Sequence, residues 1–325
     1  MGAVDALRGT VQPVLSVLIV NYNGVKWLAP CLTSLQAQLA GLEHEIIVVD
    51  NASHDDSLAL LRTSFPEVRL IVNENNVGFA RANNQAFAAS RGQYILLLNT
   101  DTVFLTGLRE MLAFLAAAPE RGAVGPAMLD GERRPRGSWG YFPTLGRMWL
   151  TMTLLNRLPG LRSRARPLLV RPGHPEFAQP AHAVDWLSGA CMLAKREVLE
   201  AVGFFDPDYF MYGEDVELCY RIRQAGYALL TFPLAEIIHY GAGGAESGVW
   251  KGEKATLGSF RGFLRFYRKH RPPWQRCALR LALSLGALLR ALGGVLLIFT
   301  QSPHDGRAVA RAYGHALWIA LGIKS

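Results

Sequence analysis

Along the first third of the chain, two apolar rhythms alternate. Residues 14–20 (VLSVLIV) form a short, nearly continuous apolar run rich in β-branched side chains, the pattern of a strand buried on both faces. Over residues 25–40 the apolar positions recur at helical spacing, and the stretch ends at Gly41. The rhythm then repeats: residues 45–50 (EIIVVD) as strand, 51–54 as turn and 55–63 as helix; 68–73 (VRLIVN) as strand and 78–91 as helix; 94–99 (YILLLN) as a fourth strand. This alternation, carried through residue 118, predicts an α/β fold with a mostly parallel sheet covered by helices on both faces. In such sheets ligands gather at the carboxyl ends of the strands. Here those ends read NYN, DNAS, NENN and NTDT, all rich in Asn or Asp.

The regularity lapses between residues 130 and 183, a stretch with many Arg and Pro residues that reads as a variable, acceptor-side region. Order returns at 184–193, and 197–202 reads as a helix. Residues 213–226 (GEDVELCYRIRQAG) form a helix closed by a glycine. Strand patterns follow at 228–232 and 236–240, leading into a glycine-rich loop. Beyond residue 255 the chain becomes basic and apolar. The expected organisation is a leader over 1–13, a catalytic domain over 14–245 and a helical tail over 246–325.

Half of the 325 residues are hydrophobic, enough for a sizeable core. The net charge of +8 favours polyanionic partners, either phosphorylated substrates or acidic headgroups. A nucleic-acid binder would share the charge but not the acidic strand ends, so nucleic acid is excluded as a partner. The four cysteines show no C-x-x-C pair and no metal spacing, as in a reduced, cytoplasmic chain. Residues 1–14 have neither a basic start nor an apolar run, so no signal peptide is expected.

Four groups of residues carry candidate chemistry. Asp101, just past the strand YILLLN, suits a hard divalent cation but equally a turn or helix cap. Glu214 and Asp215 open a helix behind an aromatic run. They read either as acidic residues favoured at a helix N-terminus or as a carboxylate pair, one of which is a general base. His239 ends a strand before glycines. Tyr22, Asp50, Asn51, Ser53, Asn76 and Asn84 form a polar set at the strand ends, able to stack on and hydrogen-bond a nucleobase, or simply to build turns.

Taken in order, six blocks resemble family 2 of the glycosyltransferases, and most closely its rhamnosyltransferase-like branch. They are residues 15–24 (LSVLIVNYNG), 45–57 (EIIVVDNASHDDS), 75–86 (NNVGFARANNQA), 94–102 (YILLLNTDT), 185–206 (DWLSGACMLAKREVLEAVGFFD) and 210–227 (FMYGEDVELCYRIRQAGY). The resemblance spans about residues 14–245. It implies a GT-A fold and an inverting, metal-dependent transfer from a nucleotide diphosphate sugar to a glycan or lipid-linked acceptor. The nucleotide pocket it implies comprises Asn21, Tyr22, Asn23, Asp50, Asn51, Ser53, Asn76, Gly78, Arg81, Asn84 and Asn99. Asp101 and His239 would hold Mg²⁺ or Mn²⁺. Trp186, Gly189 and Ala190 would floor the sugar pocket, and Asp215 would take the acceptor's proton beside Glu214. The first acid of the family's D-x-D motif is Asn99 here, and position 83 is Asn where an Arg is common, which leaves Arg81 as the substitute. Rhamnose on dTDP is the implied donor, with galactofuranose or another UDP-hexose as alternatives.

Two rival readings are a nucleotidyltransferase of nucleotide-sugar synthesis and a membrane adaptor with a degenerate pocket. The first needs a glycine-rich basic loop after the first strand, where NYNGVKWL stands, and both G-x-G-x-x-G and Walker A patterns are missing. The second sits poorly with retention of Asp101, Asp215 and His239. In the tail, residues 277–299 are apolar enough to span a bilayer, yet Arg276, Arg280, Ser284 and Arg290 fall on one helical stripe about 120° wide. That pattern predicts a helix lying on the inner face of the cell membrane, with its arginines toward acidic headgroups. The alternative is a helix packed on the catalytic domain or in a homo-oligomer interface.

Overall fold

The computed structural model describes residues 13–155, 166–241, 252–300 and 303–323. The leader through residue 12, part of the variable region (156–165) and glycines 243 and 244 lie outside the described residues. Seven elements match the alternation seen in the sequence: β1 (Leu15–Asn21), α1 (Val25–Leu39), β2 (His44–Asp50), α2 (Ser57–Ser64), β3 (Arg69–Val72), α3 (Phe79–Ala89) and β4 (Tyr94–Asn99). Next come β5 (Thr102–Thr106), α4 (Leu108–Ala116), β6 (Arg121–Leu129), β7 (Pro135–Arg136), β8 (Trp139–Gly140) and α5 (Leu145–Met152). The second half holds β9 (Ala183–Val184), β10 (Trp186–Leu187), β11 (Cys191–Lys195), α6 (Arg196–Val202), α7 (Glu214–Gln224) and β12 (Ala228–His239). Three helices finish the chain: α8 (Gly252–His270), α9 (Pro273–Thr300) and α10 (Pro303–Leu321).

The main sheet runs β3-β2-β1-β4-β11-β6-β12-β5. β1, β2, β3 and β4 are parallel, as is β6 with β12, whereas β11 is antiparallel to β4 and β6, and β5 to β12. The chain lays down β1, β2 and β3 outward and then returns to the other side of β1 for β4. This reversal opens a crevice at the carboxyl ends of β1 and β4, the place where ligands bind in sheets of this kind. Alternation along β1 explains the two layers: Leu15, Val17 and Ile19 pack toward α1, α2 and α4, while Leu18 packs toward α3, α6 and α7.

A third apolar cluster joins α5, α8, α9 and α10 through Met148, Met152, Phe266, Tyr267, Leu283 and Ala320. Here the structure corrects one expectation. The arginines of α9 expected to meet headgroups bond to the protein: Arg290 donates to the carbonyls of Thr151 and Met152, Arg280 to that of Ala320, and Arg276 to that of Arg271. The opposite face carries leucines and is exposed. Helical periodicity was enough to find the stripe, but it carries no information about which side meets the neighbouring α5 and α10.

Candidate active site

The loops after β1 and β2 are held by buried amide–carboxylate bonds. Asn21 and Asp50 are fully buried, and the Asn21 amide donates to Asp50 Oδ2 at 2.8 Å and to Ser53 Oγ at 3.0 Å. Ser53 N–H donates to the other Asp50 oxygen at 2.9 Å, and Asn23 N–H donates to Ser53 Oγ at 2.9 Å. Asn51, 2% exposed, ties the β2 loop to the β3 loop. Its amide donates to Asn76 Oδ1 and the Gly78 carbonyl, while its Oδ1 accepts from Asn73 and from Val77 N–H. Each contact satisfies a group that would otherwise be costly to bury. The Tyr22 ring stays half exposed at the rim.

Gly78 closes this half against the other. Its φ is +88°, and a Cβ there would come within 2.7 Å of the Phe210 carbonyl, so only glycine fits. Phe79 N–H donates to that same carbonyl at 2.7 Å. Two residues expected in the nucleotide pocket also bond across this seam. Both ends of the Asn84 amide bond the backbone of Phe205, and Arg81 Nε donates to the Pro207 carbonyl. They shape the crevice by anchoring the segment between α6 and α7.

At the end of β4, Asn99 N–H donates to the Ala190 carbonyl at 2.9 Å, which puts the start of β11 beside NTD. Gly189, one residue earlier, donates its N–H to Asp215 Oδ2 at 3.2 Å, while Asp215 Oδ1 accepts from Val216 N–H at 2.8 Å. Asp101 lies two residues past Asn99, 7% exposed, with His239 Nε2 at 3.3 Å from its Oδ1. The register explains this meeting, since Thr102 pairs with His239 between β5 and β12. Asp215, Gly189, Ala190, Asn99, Asp101 and His239 therefore form one continuous line along the sheet edge. Trp186 sits to the side, its indole donating to the Leu168 carbonyl at 2.8 Å.

Among the described residues, no group of three His, Cys, Asp or Glu side chains could cage a metal. One carboxylate and one imidazole still suit a divalent cation whose remaining ligands are phosphate oxygens and water. The Asn99 Oδ1 atom is buried without a hydrogen-bond partner among the described residues, an acceptor awaiting a donor or a cation.

The two acids of the pair differ. Burial, and then the charge of Asp215, push the Glu214 carboxyl well above the ordinary range, and its Oε2 has no hydrogen-bond partner among the described residues. Glu217, one turn on, is fully buried. Burial raises its carboxyl, but His270, Arg221 and Lys269 outweigh that and hold it at about 2. Lys269 and His270 belong to α8, so an ion cluster fixes the acidic helix to the tail.

Sequence reasoning missed several residues here. Arg136, from the irregular region, donates to the His239 carbonyl at 3.0 Å, and Trp27 stacks on Tyr240 at 4.5 Å. In α8, a Cβ at Gly262 would meet the Tyr212 carbonyl at 2.5 Å, so glycine lets the helix touch the backbone just before the acidic pair. The G-x-x-x-G spacing of Gly258 and Gly262 was the available signal.

The Glycosyl transferase family 2 model matches residues 16–203. Rhamnosyltransferase WbbL of Escherichia coli (strain K12) is 44% identical over 236 residues, which cover 69% of this chain and 82% of that protein. The N-acetylglucosaminyl-diphospho-decaprenol L-rhamnosyltransferase of Mycobacterium tuberculosis (strain ATCC 25618 / H37Rv) is 29% identical over 241 residues, covering 70% and 76%. Among solved structures, the mannosyltransferase PcManGT from Pyrobaculum calidifontis, in complex with GDP-Man and Mn²⁺, superposes with a TM-score of 0.53. It covers 97% of this chain and 89% of that one at 19% identity, a likeness of GT-A fold.

Proposed function

Because the chain belongs to glycosyltransferase family 2, we propose that it is an inverting rhamnosyltransferase moving the sugar from dTDP-rhamnose to a lipid-linked glycan. Its place would be cell-surface polysaccharide synthesis, at the cytoplasmic face of the membrane. The observation that carries this reading is the line of groups along the sheet edge. Asp215 is held against Gly189, beside Asn99, with the Asp101–His239 pair two residues on. The names of the two relatives support a rhamnosyl donor and, for the mycobacterial protein, a decaprenol-linked acceptor.

A sugar hydroxyl is a weak nucleophile, so its proton must leave as the new bond forms. Asp215 is the base in this reading: two backbone N–H groups fix its orientation and stabilise its charged form. The Glu214 carboxyl, raised by burial and by the charge of Asp215, stays protonated more readily. Attack from Asp215's side, opposite the leaving group, inverts the anomeric carbon in one displacement without a covalent intermediate. Asp50 would accept from the ring N–H of the pyrimidine, with Tyr22 against its face and Asn21, Asn23, Asn51, Ser53, Asn76 and Gly78 framing the nucleoside. Trp186, Gly189 and Ala190 would floor the sugar. Asp101 and His239 would hold Mn²⁺ or Mg²⁺, which supplies positive charge for the departing diphosphate.

A panel of nucleotide sugars, hydrolysed by purified protein with and without chelator, tests the reading. Turnover is expected for dTDP-rhamnose above UDP-hexoses and is lost on chelation. Asp101→Ala should weaken nucleotide binding about tenfold or more with metal present, and little without it. Full activity in chelator would remove the metal assignment.

A further inference from the structure

One helix among the described residues is long and apolar enough to cross a membrane, Pro273–Ile298 in α9, and little of it is buried. Its two faces differ completely. Leu279, Leu283 and Ala287 are buried against α8 and α10, and Arg290 is bonded to carbonyls of α5. On the opposite side Leu281, Leu285, Leu288, Leu292, Val295 and Leu296 are 36–65% exposed. At about 100° per residue these six fall within a stripe about 100° wide that contains no charged residue. Trp274 lies on the same stripe, and at the end of α10 Trp318, Leu321 and Ile323 are exposed as well.

We propose that this leucine stripe is a membrane-insertion face, which seats the protein flat on an anionic bilayer without crossing it. A spanning orientation would strip Arg290 from its carbonyl partners on α5 and bring its charge into hydrocarbon. Charge complementarity points to the occupant. Residues 252–325 carry twelve Lys or Arg against two Asp or Glu. Arg261, Arg268, Arg307 and Arg311 in α8 and α10 are exposed. An apolar face on a strongly basic helical unit, with exposed tryptophans in α9 and α10, is the chemistry of the headgroup–acyl boundary. The arrangement inverts the usual amphipathic surface helix, because Arg276, Arg280 and Arg290 of α9 each bond a backbone carbonyl of the protein, and further exposed arginines belong to the neighbouring helices. It deepens the lipid-linked acceptor reading above but rests on different residues.

Cys277 makes the test direct. It is exposed four positions before Leu281 on the same stripe, while Cys31, Cys191 and Cys219 are buried. An environment-sensitive fluorophore on Cys277 should shift to the blue with phosphatidylglycerol-containing vesicles and be quenched by spin-labelled acyl chains. Leu288→Glu with Leu292→Glu should cut cosedimentation with those vesicles at least tenfold, while donor hydrolysis without lipid stays unchanged. A label that keeps its aqueous emission beside vesicles overturns the proposal. So does a concentration-dependent dimer that buries Cys277 and ignores vesicles, and so does resistance of the bound protein to alkaline carbonate. Vesicle binding without donor turnover would sink the enzymatic reading and leave this one standing.

Discussion

The carboxyl edge of the sheet and the outer face of α9 invert the usual rule in opposite directions. At the edge, Asn21, Asp50 and Asn51 are buried polar groups, each bonded to groups on neighbouring loops. On α9, leucines face outward and are between a third and two thirds exposed. Burying amides and carboxylates is tolerable when most of their atoms find partners, as the bonds among Asn21, Asp50, Asn51 and Ser53 show, and such bonds specify the geometry of the edge. Exposing leucines weakens nothing in the fold, but it leaves a surface that water does not favour. Charge divides the same way: residues 252–325 hold twelve basic and two acidic residues, and the remainder of the chain holds 22 and 24. A near-neutral unit built for chemistry is thus joined to a strongly cationic one suited to attachment.

The sharpest way to break this contrast is at the edge. Asp215→Asn keeps the shape of the side chain and removes its basicity. Transfer should fall about 10²-fold or more while nucleotide affinity, read by calorimetry, stays within about twofold. Transfer near the wild-type rate would move the base to Glu214.

The next effect lies where the two regions meet. With its folded carboxyl held at about 2 against an ordinary value of 4.5, Glu217 contributes stability that is complete above about pH 4.5. That contribution, about 3 kcal/mol, is lost as pH falls toward 2. Glu217→Gln should flatten the acid limb of a denaturation-versus-pH curve over this window. It should also lower stability at neutral pH, because Arg221 loses its counter-ion and Lys269 keeps only Asp206. An unchanged acid limb would mean that the ion cluster does not hold the tail.

The smallest effects compare two leucines on one helix. Leu283→Ala, on the packed face, should cost about 2–3 kcal/mol in urea unfolding. Leu288→Ala, five residues on and exposed, should stay within about 0.5 kcal/mol. Equal costs would mean that the outer stripe is covered in solution.

Through residue 99 the fold was legible because each element announces itself locally, by period and by turn residues. β6 was not, since RGAVGPAML carries two glycines and a proline and becomes a strand only by lying between β11 and β12. β12 read as two strands with Pro233 between them; the sheet accommodates the interruption as a shift in register. The sequence also put Asp101, Asp215 and His239 on one short list, and the structure brings them to one edge. It could not reveal what Asn84 and Arg81 do, because their partners lie 121 and 126 positions away. The direction of Arg290 in α9 was hidden for a similar reason: it depends on residues 151 and 152.

The contact of Gly262 with Tyr212, together with the Glu217 cluster, has a consequence for anyone recombining relatives of this chain. The natural cut, after the family-matched segment that ends at residue 203, falls before α7 and therefore keeps α7 and α8 together. A cut placed near residue 245 looks safer, because it spares Asp101, Glu214, Asp215 and Glu217. Yet it would give the acidic helix a foreign α8, without the matching glycine or the Lys269–His270 pair. Residues 204–325 are therefore the segment to exchange, and a graft of the tail alone should yield a protein that binds its surface and turns over poorly.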